Sequence, residues 1–99
     1  MKKLFIAAFM FVSSFGTNVM ADGHAIKMGI ILGFTGPIES LTPAMAASAE
    51  LAFKEASDSG SLLGGKKIEV VRADSTCVDS AAATAAAEGV ISQGVAAIM

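Results

Sequence analysis

The chain has no tryptophan or tyrosine, one cysteine, one histidine and two prolines in 99 residues. Without Trp or Tyr and without a cluster of Lys and Arg, it has neither stacking platforms for bases nor a basic surface for phosphates, which excludes nucleic-acid binding. With His24 as the one histidine, close to the start of the chain, a Cys-His or Ser-His nucleophile pair has no base. No cluster has the spacing of metal ligands, and no cofactor motif is complete. The longest uncharged apolar run, Leu4 to Val12, falls short of the ~20 residues that span a bilayer.

That run instead fits an export signal. Lys2 and Lys3 give a basic start, and Val19-Met20-Ala21 has the small-x-small form of a cleavage site. Residues 1–21 are thus expected to be removed after Ala21, leaving a periplasmic chain that is not inserted in the membrane. No cysteine follows the cleavage point, so no lipid anchor is expected there. From Asp22 onward, five basic side chains face nine carboxylates, a net charge of −4.

Periodicity then gives an ordered series of elements. Ile26 to Leu32 is apolar or small on both faces past Lys27, the pattern of a central parallel strand covered by helices. A turn from Gly33 to Leu41 follows, and Thr42-Pro43 starts a helix, with Thr42 as the expected N-cap. Met45, Ala49, Ala52, Phe53 and Ala56 should form its buried stripe. Glu50, Lys54, Ser57 and Asp58 should lie opposite, with Glu50 and Lys54 paired. Gly60 stops the helix. Leu62 and Leu63 are expected to tuck inward before a Gly64-Gly65 turn.

Lys67 to Ala73 alternates with charges on both faces, as a strand nearer a sheet edge would. Asp79 or Ser80 caps a second helix with Ala83, Ala87, Val90 and Ile91 buried and Thr84, Glu88 and Ser92 facing water. Val95 to Met99 reads as a buried third strand. This is an α/β chain, β-α-β-α-β, with the polar strand outermost: order 2-1-3, the first part of a doubly wound parallel sheet. The third strand ends the sequence without turn or polar tail, so 22–99 is expected to be an incomplete N-terminal lobe of a longer protein.

Three local patterns suggest other chemistry and fail. Gly60 to Lys67 approximates GxxxxGK[ST], but Lys67 stands where a hydroxyl must reach the metal, and the segment precedes a strand instead of a helix. Gly29, Gly33 and Gly36 have the wrong spacing for a dinucleotide fingerprint. Asp74 and Asp79 flank a loop, where capping of backbone amides is the expected role. Cys77 has no partner in the sequence; a disulfide to a cysteine elsewhere, a buried thiol and an interchain bridge all remain open.

Taken in order, Ile26-Lys27-Met28-Gly29-Ile30, Phe34-Thr35-Gly36-Pro37, an alanine-rich helix, Gly64-Gly65-Lys66, Ile68 to Arg72 and Asp74-Ser75-Thr76-Cys77 resemble the leucine-binding-protein-like solute-binding proteins of branched-chain-amino-acid ABC transporters. The resemblance implies two α/β lobes closing on a small amino acid or related carboxylate, and a membrane permease as partner. It implies no enzymatic activity and no cofactor. It also implies a disulfide from Cys77 to a cysteine beyond the chain end; closing a loop of about 25 residues stabilises by roughly 3–4 kcal/mol.

Ligand contact is expected at Ser40, Leu41 and Thr42, with Leu41 standing where the family commonly has an aromatic residue. A sensor or regulator of the same fold, or an exported α/β enzyme with later catalytic residues, are the alternatives. Downstream sequence distinguishes them.

Overall fold

The computed structural model describes residues 25–99; the expected signal peptide, its cleavage point and His24 lie outside them. Five main elements follow one another: β1 (Ile26–Leu32), α1 (Thr42–Asp58), β2 (Ile68–Asp74), α2 (Ser80–Ser92) and β3 (Ala97–Ile98), with a short 3-10 turn at Leu62–Gly64. The sheet is parallel, in the order β2-β1-β3. Fold class and strand order are those read from the sequence.

The seven residues of β1 pair in register with all seven of β2, from Ile26 opposite Ile68 to Leu32 opposite Asp74. This register sorts the side chains between the helices. Arg72 meets Glu50 of α1, so the face carrying Met28, Ile30, Val70, Arg72 and Asp74 is the α1 face. On the other face Gly29 leaves room for α2: a Cβ there would stand 3.4 Å from a Val90 methyl and 3.2 Å from Ile98. Among the described residues, Ile30, Ala46 and Val90 are the fully buried apolar ones, one from the central strand and one from each helix. The two helices therefore cover opposite faces, as right-handed crossovers require.

Several side chains depart from expectation. In α1 the buried positions are Thr42, Ala46 and Ser57, with Ala49, Phe53 and Ala56 half-buried, whereas Met45 is 52% exposed and Ala52 is exposed. The stripe is rotated by about one residue because Ser57 turns inward, where its Oγ accepts the Ile68 amide at 3.2 Å. Thr42 is the first helical residue, not the N-cap; Leu41 holds that position without a side-chain cap. Glu50 leaves Lys54 for a two-pronged pair with Arg72, at 2.5 and 2.8 Å, and Lys54 pairs with Asp58 one turn on. An arginine fork matches a carboxylate better than an ammonium does.

Leu63, expected inside, is 67% exposed at a positive φ of 44° in the 3-10 turn. In α2, Val90 is buried against the Cβ-free Gly29, but Ile91, the next position round the helix, is 61% exposed. The third strand is shorter and more open than expected. Pairing covers Ala97 and Ile98, with flanking hydrogen bonds from Ala96 to Lys27 and between Met99 and Gly29. Ile98 and Met99 are exposed, because no described element covers their free side.

Candidate functional site

Parallel strands end together, and the loops leaving their carboxyl ends share one edge of the sheet. Here those are the β1 turn (33–41) and the β2 turn (75–79). The reversal of strand order at β1 puts the switch point beside the first of them. The near-phosphate-loop segment 60–67 lies between α1 and β2, at the opposite edge of the sheet.

Asp74, the last residue of β2, joins the two turns. Its Oδ1 accepts the amides of Phe34 at 2.9 Å, Thr35 at 3.3 Å and Thr76 at 2.8 Å. Its Oδ2 accepts the Thr35 hydroxyl at 2.6 Å. The Thr35 hydroxyl, then the Thr76 amide, hold the carboxyl below its ordinary range; partial burial opposes them, and the amides of Thr35 and Phe34 add to the lowering. Hydrogen bonds to the ionised form have that effect.

The turns also touch directly. A Cβ at Gly33 would lie 2.9 Å from Cys77 Sγ and 3.1 Å from the Thr76 carbonyl carbon. At Gly36, whose φ is +96°, a Cβ would lie 3.0 Å from the Thr76 carbonyl oxygen. Thr76 and Cys77 both take left-handed conformations, φ 58° and 62°, and the Thr76 hydroxyl is buried without a partner. Such conformations are costly for residues with a Cβ and persist only where surroundings impose them. Phe34 is held from a third direction by the Arg72 guanidinium, 5.5 Å from its ring centre, and Arg72 is itself fixed by Glu50.

The three residues named as ligand contacts sit at the far end of the β1 turn. Ser40 is exposed and Leu41 is 61% exposed at the N-terminus of α1. Thr42 is buried, and its hydroxyl donates to the Gly33 carbonyl at 2.9 Å, tying the end of the turn to its beginning. By contrast, α2 is capped by Asp79, which accepts the Ala81 and Ala82 amides at 2.8 and 3.3 Å. Both flanking aspartates thus cap backbone amides. Asp74 reaches across to the other turn, a role sequence separation conceals: it stands 40 positions from Phe34. Cys77 is a free, exposed thiol beside a concavity of about 320 Å³ lined by Ser75, Val78, Asp79, Ser80 and Ala83.

A parallel sheet whose strand order reverses at its central strand, with loops meeting at the carboxyl ends of its strands, is the architecture of α/β ligand binders. The comparison with known families agrees: the family described as periplasmic binding protein matches residues 25–99. The chain belongs to that family. Membership carries a solute-binding role and a periplasmic location at the level of the family. No curated protein matches the chain.

Proposed function

We propose that the protein is the solute-capturing component of an ABC importer, taking up a small amino acid or related carboxylate and delivering it to a membrane permease. It binds and does no chemistry. The observation that carries this reading is the start of α1, where exposed Ser40 and Leu41 lead into a helix without a side-chain cap, at the switch point of a sheet in a periplasmic-binding-protein chain. A helix N-terminus favours a carboxylate through its dipole and its free amides; here Thr42 donates its amide to Ile38 and Pro43 has none, which leaves the amide of Ala44. In this reading Ser40 donates from its hydroxyl, Leu41 lies against the solute's apolar part, and Thr42 keeps both in place through Gly33.

Residues 22–99 are part of the N-terminal lobe, and the signal peptide is cleaved after Ala21. The disulfide of Cys77 belongs to the same proposal. Delivery requires that solute favour the closed state over the open one, since equal affinity for both would shift nothing.

The test is calorimetric titration of the full-length protein with L-leucine, L-alanine and L-glutamate, alongside 3-methylbutylamine, which is leucine without its carboxylate. Saturable binding of at least one amino acid, with none of the amine, is expected. Failure of all three amino acids, or equal binding of leucine and the amine, overturns the carboxylate reading.

A further inference from the structure

We propose that Asp74 is a positioning residue for solute affinity: its carboxylate holds the β1 turn in the shape that presents Ser40 and Leu41. This rests on the solute-binding reading above.

The β1 turn has little internal support at its first half. Beyond a 3.1 Å bond from the Phe34 amide to Leu32, the backbone bonds of the turn begin at Glu39 to Gly36 and Leu41 to Ile38. Phe34 and Thr35 are fastened instead by Asp74, through two amides and a hydroxyl. At the same time Asp74 accepts the Thr76 amide and so braces the left-handed pair Thr76-Cys77, against which Gly33 and Gly36 close. One carboxylate therefore shapes both turns. The second anchor, Thr42 on the Gly33 carbonyl, passes that shape to the start of α1, next to Ser40 and Leu41. Removing Asp74 frees the turn while leaving the sheet and both helices intact.

A residue that only stabilised the fold would lower the melting temperature without a selective effect on binding. The experiment separates the two in the full-length protein, using L-leucine, L-alanine and L-glutamate as probes and three variants. Asp74→Ala removes all four bonds. Asp74→Asn retains a carbonyl oxygen for the three amides, and its NH2 can donate to the Thr35 hydroxyl. Ser57→Ala removes the acceptor of the Ile68 amide at the remote start of β2, as a stability control.

Asp74→Ala should weaken the bound probe by roughly tenfold or more, the scale of losing bonds to a charged acceptor. Asp74→Asn should restore affinity to within about threefold of the parent. Ser57→Ala should melt earlier and bind as the parent does. Equal affinity of Asp74→Ala and the parent overturns the proposal, as does an equal loss in Ser57→Ala.

If the parent binds none of the probes, the solute reading falls on its own. Amide hydrogen exchange then decides for Asp74: faster exchange across 34–41 in Asp74→Ala alone supports its hold on the turn, and unchanged exchange removes it.

Discussion

Asp74 is also where acid should act. Its folded-state carboxyl titrates below the ordinary value, chiefly because the Thr35 hydroxyl and Thr76 amide favour the ionised form. A depressed carboxyl contributes stability that is present above its unfolded value and lost as pH falls through the lower folded value. Glu50, held down by Arg72, and Asp58, held down by Lys54, share that sign. Among the described residues, acid sensitivity therefore mixes these three groups. Asp74→Asn isolates one of them: its melting temperature should lie below the parent's near neutrality, and the gap should close below the ordinary carboxylate range. Melting curves of both proteins across pH check this. A gap that is constant with pH would mean that the charge of Asp74 does not hold the turn.

At the scale of elements, the fit of one turn against the other depends on a missing side chain. Gly33→Ala puts a methyl within 2.9 Å of Cys77 Sγ and 3.1 Å of the Thr76 backbone. The backbone at Thr76, already in a left-handed conformation, is the contact that cannot yield cheaply. Overpacking of this kind costs about 1–3 kcal/mol. The full-length variant should unfold at correspondingly lower denaturant, whereas Gly60→Ala, with open space around its Cβ, should lose only the backbone preference at its φ of +68°.

The same elements show what could be read in advance. β1, β2, both helices and the strand order follow from period and polarity, because each element has to bury one side against the next. The buried stripe of α1 lies about a residue from the one its periodicity predicts, because Ser57, polar and expected to face water, is buried. Its burial is stabilised by an amide 11 positions away that no periodicity reveals. Ser40 and Leu41 were legible as turn residues at a helix start. The Asp74 link and the Arg72–Glu50 tie were not, since long-range hydrogen bonds between side chains leave no local pattern.

For the molecule as a whole, the described residues enclose a thin core. Ile30, Ala46 and Val90 are the fully buried apolar side chains, and one of them is an alanine. Outside that core Leu41, Met45, Leu51, Leu63, Val78, Ile91, Ile98 and Met99 all remain exposed. Small domains bury a smaller fraction of their surface than large ones, while the entropy cost of ordering grows with each residue. A free, apolar edge at β3 adds a route to pairing between chains.

Residues 22–99 expressed alone should therefore lack a sharp thermal transition, bind a hydrophobic dye and self-associate with rising concentration. The full-length protein should do none of these. Circular dichroism melts with dye binding and sedimentation on both decide it. A cooperative, concentration-independent transition in 22–99 would show that three strands and two helices suffice, and that neither β3 nor the exposed helix faces needs further cover.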